Sequence, residues 1–392
     1  MKSNKIRRNI PLMYAITFFQ SIVIYAAIAT LYRQARGITL AEFAVIEGFS
    51  YIFQLAFEIP FGMLADRFGY RRTLLFSNGI YLLSKVVFWQ AFGFSAFLLE
   101  RLFFSMALAG LSGVSESILF LSCNQQDSQK VFSYHNASGT AGMLTGSLIF
   151  TLFLSTNYDA AALGTVLAYT IAFFLSFFVT DVVDMEKKDP QLSPNHLLST
   201  LKVSLKDRKF LLFILGMTLV DYATWAARIM LGQPRFLSLG MTEQHICVFE
   251  IVLSLLAMTG ISSAALTKKL GFKKTMVLGI STVALSALVF GLTRHVVPAI
   301  FSCALIEIAY DLIMPLVSDL YSKRVTVSDR ATQLSVYAMI GELFSFGISF
   351  VMSAVTSISE AGGFLLCAGM AALGIFFFLH CYHGVRNMDV CA

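Results

Sequence analysis

Residues 62–75 read GMLADRFGYRRTLL, and residues 264–277 read AALTKKLGFKKTMV. Laid side by side, Leu64 meets Leu266, Gly69 meets Gly271 and Thr73 meets Thr275. Tyr70 meets Phe272, and the pair Arg71 and Arg72 meets Lys273 and Lys274. Each stretch is a short basic loop between long apolar runs. A repeat placed once in each half of a chain predicts two halves of one topology. In the first copy Gly69 can take the positive φ of a tight turn, which other residues avoid. Asp66 is not repeated, because Lys268 stands opposite it.

The runs around these loops set the solvent. Of the 392 residues, 57% are hydrophobic and 13% are charged. A soluble domain carries about 25% charged residues, so this chain lacks the charge to cover a water-facing surface. Disorder is excluded as well, since it needs low hydrophobicity. About 20 helical residues cross the ~30 Å of a bilayer core. Twelve segments qualify: 10–32, 42–65, 73–94, 96–122, 131–154, 160–180, 208–231, 242–266, 274–293, 297–321, 331–356 and 361–383. The expected fold is an all-α membrane protein of twelve transmembrane helices. A hydrophilic stretch splits them six and six. The expected organisation is an N-terminal six-helix bundle over 1–180, a cytoplasmic linker over 181–207 and a C-terminal bundle over 208–392.

Orientation follows from the basic residues. With the N-terminus in the cytoplasm, 22 of the 29 Lys and Arg fall in cytoplasmic segments. Only Arg33, Arg36, Arg235 and Arg294 fall outside, and Lys85, Arg101 and Arg228 fall within spans. Positive charge concentrates on the cytoplasmic side of membrane proteins, so both termini are expected there, in the cell membrane.

The longer stretch EIPFGMLADRFGYRR, Glu58 to Arg72, resembles the signature of the major facilitator superfamily, G-x-L-a-D-r-x-G-r-k. Glu58–Pro60, SGVSE (Ser112 to Glu116) and DRATQLS (Asp329 to Ser335) look like a bacterial subgroup of it. The resemblance implies the major facilitator fold, two pseudo-symmetric six-helix bundles built as parallel repeats around a midplane site. It implies that Gly62, Asp66, Arg67, Gly69, Arg71 and Arg72 form a conformational latch. Asp66 would face the start of span eleven near Ala331, where the helix dipole favours an anion. The arginines would pair with it or with anionic lipid headgroups. Gly62 would permit close helix approach.

Ionisable residues inside a span are costly and point to function. Nine are acidic: Glu47, Glu58, Glu100, Glu116, Asp221, Glu250, Glu307, Asp311 and Glu342. Three basic residues cannot neutralise them all. Carboxylates left over can bind a proton or attract a cation. Depth favours Asp221, Glu307, Asp311 and Glu342, with Arg101 and Glu116, as the proton or substrate site. Glu307 and Asp311 lie one helical turn apart on one face. They are expected to share a proton, with Arg101 as counter-charge. A structural pair of Asp221 with Arg228 is the competing arrangement. Glu47, Glu100 and Arg228 lie nearer the outer surface, where side chains snorkel. In span five, Ser138, Gly142 and Gly146 recur at the spacing that lets helices pack closely.

These features predict a secondary active transporter working by alternating access. Proton-coupled export of an amphiphilic or cationic small molecule is the leading expectation. Uptake of a small metabolite comes second, and a transporter-like sensor is the alternative of another class. No phosphate-binding loop motif occurs in the sequence, and the six His are scattered rather than clustered, so an enzyme is not expected. The six Cys show no C-x-x-C spacing, and no cofactor or metal is called for. The expected partners are a small-molecule substrate, protons and membrane lipids, with no nucleic acid, and the chain is expected to act as a monomer.

Overall fold

The computed structural model describes residues 4–123, 128–154, 157–182, 207–324 and 330–386. All regular structure among them is helical. The main helices are α1 (Asn9–Ser21), α2 (Ala29–Ala35), α3 (Leu40–Phe68), α4 (Tyr70–Gln90), α5 (Gly93–Leu111), α6 (Val114–Ser122), α7 (Ser128–Ile149) and α8 (Tyr158–Ser176). They continue as α9 (Arg208–Trp225), α10 (Gly232–Ser238), α11 (Glu243–Leu256), α12 (Ser263–Leu270), α13 (Phe272–Leu292), α14 (Val296–Arg324), α15 (Arg330–Thr356) and α16 (Glu360–Arg386). The chain divides into two compact units, one of residues 1–38 and 49–191, the other of residues 39–48 and 192–392. Nearly all of the expected linker, residues 183–206, lies outside the described residues.

Among the described residues, ten helical segments are long and apolar enough to cross a membrane. The two further spans expected at 73–94 and 242–266 are helical too, but each departs from a plain apolar span for a visible reason. Along α4 the buried positions include Thr73, Ser77, Asn78, Ser84 and Lys85, so its polarity is turned into the bundle. The other is interrupted over Ala257–Ser262 by a 3₁₀ turn between α11 and α12.

In lipid there is little hydrophobic drive for helices to associate, so close backbone approach and polar contacts carry the packing. In the first unit a Cβ at Gly142 would overlap the Phe18 carbonyl, and one at Gly146 would press on the Val23 backbone at 3.3 Å. The small-residue spacing in α7 therefore does what it predicts, against the end of α1. Asn78 of α4 accepts from the Gln20 amide of α1 at 2.6 Å and donates to Ser176 of α8. In the second unit, a Cβ at Gly374 of α16 would stand 2.9 Å from the Gly216 carbonyl of α9. Phe210, Phe213, Met276, Ile280, Val317 and Phe378 fill the core around this contact.

The repeat read in the sequence has a structural counterpart. Gly69 (φ 86, ψ 158) precedes α4, and Gly271 (φ 81, ψ 150) precedes α13. Each helix has 21 residues. The hydroxyl of Thr73 donates to the Gly69 carbonyl at 3.0 Å, and that of Thr275 donates to Gly271 at 3.1 Å. Both glycines occupy a region essentially closed to other residues.

Candidate functional site

The second unit holds the four carboxylates that the sequence ranked highest: Glu307 is buried, Asp311 and Glu342 are half-buried and Asp221 is exposed. Just past Trp225 the helix widens into a π turn over Ala226–Met230, closed by the Leu231 amide on the Ala226 carbonyl at 2.8 Å. Such wide turns recur at functional sites. Arg228 sits in this turn. Its Nε lies 3.0 Å from Glu307 Oε2, and its Nη1 lies 3.5 Å from Glu250 Oε2. One guanidinium thus bridges a carboxylate of α14 and one of α11.

Glu307 and Asp311 are on α14 one turn apart, as the spacing requires. Glu307 is 8% exposed, and the cation beside it is Arg228. Asp311 has no such partner: its Oδ2 is buried without a hydrogen bond among the described residues. Its backbone is pressed by the interrupted helix, since a Cβ at Gly260 would lie 2.9 Å from the Asp311 carbonyl. Ser263 of α12 donates to the next carbonyl, Leu312, at 2.6 Å. Asp221 of α9 accepts from the Tyr310 hydroxyl, so it pairs with Tyr310 rather than with Arg228. Glu342 is half-buried on α15, one residue past Gly341, whose Cβ would meet Thr218 of α9 at 3.3 Å.

The first unit holds a different arrangement. Arg101 lies 3.7 Å from Glu100 Oε2, and its guanidinium is 4.9 Å from the Phe104 ring centroid. Glu100 is 1% exposed, so this residue is buried rather than snorkelling. Lys85, 5% exposed, donates to the Tyr25 hydroxyl at 3.4 Å. Its ammonium stands 4.8 Å from the Phe104 centroid, 5.2 Å from those of Tyr81 and Tyr169, and 6.0 Å from that of Tyr25. Four rings therefore surround one lysine at cation–π distance. The sequence offered Lys85 only as a base within a span, because nothing in linear order brings Tyr25 and Tyr169 to it. Glu116 is exposed in the first turn of α6.

The signature loop is partly legible. Arg71 donates from Nε to the Val179 carbonyl at 2.6 Å and from Nη2 to that of Phe177 at 3.0 Å. Its role here is to satisfy carbonyls left open at the end of α8. Arg67 lies 5.5 Å from the Phe68 ring centroid. A Cβ at Gly69 would approach Asp181 Oδ2 at 3.0 Å, whereas one at Gly62 would meet nothing within 4 Å among the described residues. The close approach expected at Gly62 is therefore not seen there. Arg72 is exposed. The side chains of Asp66 and of residues 331–335 lie outside the described ones, and so does the contact of Asp66 with span eleven.

A family model, the Major Facilitator Superfamily, matches residues 11–349. No curated protein matches the chain in sequence. Among solved structures, a variant of the nucleoside transporter NupG is similar, with a TM-score of 0.79 and 16% identity, over 95% of this chain and 99% of that one. A POT family transporter in complex with 5-aminolevulinic acid gives 0.76 and 13%, over 97% and 96%. A D-xylose-proton symporter gives 0.69 and 14%, over 96% and 97%. At these identities the likeness is one of fold.

Proposed function

Since this chain belongs to the major facilitator superfamily, a family of membrane transporters rather than enzymes, we propose that it is a proton-coupled secondary transporter that exports a small amphiphilic or cationic molecule across the cell membrane. The observation that carries the proton reading is Asp311. Its buried Oδ2 has no hydrogen bond among the described residues, one turn from a carboxylate already held by Arg228. A buried carboxylate oxygen without a donor is costly, and a proton relieves that cost. A proton arriving at Asp311 leaves the Glu250–Arg228–Glu307 bridge intact. A second proton, or a cation, can enter only by competing with Arg228 for Glu307.

The helix breaks fit this role. The π turn that holds Arg228 and the 3₁₀ turn that presses on Asp311 are where a span departs from regular α geometry. Irregular backbone at membrane depth is tolerated where it is enclosed by protein or lines a cavity. Asp221 with Tyr310 brings a third carboxylate to the face of α14 that carries Glu307 and Asp311, because Tyr310 lies three residues after Glu307. The signature residues Asp66, Arg67 and Arg72 would take the latch role that the family likeness suggests, with Arg71 holding the end of α8 beside them and both termini on the cytoplasmic side.

The test is flux in proteoliposomes with an imposed pH gradient, using radiolabelled benzyltrimethylammonium as probe. Probe movement opposite to the proton gradient, lost in Asp311→Asn, is the expected result. Movement in the same direction as the protons would replace export by uptake. Gradient-independent movement would remove proton coupling.

A further inference from the structure

We infer that the first unit carries a recognition pocket for a quaternary or bulky organic ammonium ion, built on Glu116. The inference rests on the transporter reading above and names the chemistry of the substrate.

An open groove of about 360 Å³ is lined by Tyr70, Glu116, Ser117, Phe120, Leu121 and Phe132. That volume lies within the roughly 300–1,000 Å³ of small-molecule sites. Its wall is set by a break in the fourth span. Ser112 and Gly113 end α5, Gly113 takes φ 70, and α6 begins at Val114. The short helix then divides cleanly. Val114, Ile118, Leu119 and Ser122 are its buried residues, and all but Ser122 join the hydrophobic core of the unit. Ser122 is held by the Asn9 amide at 3.2 Å. Glu116, Ser117, Phe120 and Leu121 are left to face the groove. The opposite walls are also anchored, since Tyr70 and Phe132 pack against the same core.

The lining has one charge, and it is negative. Among the described residues no Lys or Arg pairs with Glu116. His135 lies within electrostatic reach of it, but its Nε2 is engaged with the Thr17 hydroxyl at 2.7 Å. A carboxylate flanked by three aromatic rings suits a cation whose charge is spread over methyl or methylene groups. Ring faces attract such a cation without any hydrogen bond, and quaternary ammonium groups are recognised in this way. An anion would meet Glu116 unscreened. A compact metal ion would find one carboxylate and no other ligand, and the described residues hold no cluster of metal-binding side chains.

The experiment is titration calorimetry of the full chain in nanodiscs with benzyltrimethylammonium chloride, and with sodium benzenesulfonate as the anionic control. Wild-type protein is expected to bind the cation and not the sulfonate. Glu116→Gln should weaken binding about fivefold, Phe120→Leu about threefold, and Glu116→Asp less than Glu116→Gln, as losses at an exposed ion pair and one ring imply. Glu116 is exposed, so the melting temperature of Glu116→Gln should match wild type, which separates a lost site from a lost fold. Equal affinity in wild type and Glu116→Gln, or no binding by wild type, overturns the pocket. If the gradient-driven flux persists in that case, the transporter reading stands without it. Binding that depends on Glu116 but is never followed by gradient-driven movement keeps the pocket and overturns the export reading.

Discussion

The two units solve the problem of charge in a membrane in opposite ways. Around Lys85 in the first, ammonium and guanidinium groups are met largely by ring faces: Tyr25, Tyr81, Phe104 and Tyr169 for Lys85, and Phe104 again for Arg101. Around Arg228 in the second, one cation is shared by two carboxylates, while Asp221 turns to a tyrosine and Asp311 keeps a bare oxygen. Aromatic rings accept no proton, and the buried carboxylate beside them, Glu100, stands 3.7 Å from Arg101 where the cations outnumber it. Carboxylates in excess of cations do accept protons, so the second can change state. On the reading proposed above, proton coupling resides in the second unit, and the first offers the cation pocket at Glu116.

Removing Arg228 should break this contrast most severely. Arg228→Leu leaves Glu250 and Glu307 without their cation, and loss of one partner of a buried pair costs about 3 kcal/mol or more. A marked fall in melting temperature is expected, recovered in part when Glu307→Gln is added. A single variant as stable as wild type would mean that the bridge carries no load.

The repeated loops give a finer test. Gly69→Ala and Gly271→Ala each force a side chain into a glycine-only conformation, at about 1–3 kcal/mol. Gly69→Ala should be the worse of the two, because its Cβ also meets Asp181 at 3.0 Å, while one at Gly271 meets nothing within 4 Å among the described residues. Matched thermal melts of the two variants decide it. Equal losses would mean that backbone strain alone sets the cost.

Lys85→Met should have the smallest effect. The thioether fits an aromatic cage, and the lost cation–π attraction is offset by no longer burying a charge. Stability within about 1 kcal/mol of wild type is expected, with the pH-gradient dependence of flux retained. Loss of that dependence would move proton coupling into the first unit.

Much of this was legible in the sequence. Charge scarcity and run length give the membrane and the helices. The pair of basic loops gives the twofold organisation, down to the shared backbone geometry at Gly69 and Gly271. Helical periodicity places Glu307 and Asp311 together, since i and i+4 share a face whatever the tertiary structure. What could not be read depends on helices distant in sequence or on a local change of pitch. Arg228 reads as a snorkelling residue until the π turn points it at Glu250 and Glu307. Glu100 reads the same way until Arg101 and the bundle bury it. Arg71 is a generic basic residue of a loop until the end of α8 supplies carbonyls for it. Gly62 matches a signature, yet its neighbourhood among the described residues is open.

The claim that proton coupling resides in the second unit is tested most directly by comparing Asp311→Asn with Lys85→Met in one flux assay. Both proteins are reconstituted, a pH gradient is imposed, and movement of benzyltrimethylammonium is followed with and without the gradient. Asp311→Asn should abolish the stimulation by the gradient, and Lys85→Met should keep it. Full stimulation in Asp311→Asn, or its loss in Lys85→Met, would contradict the account.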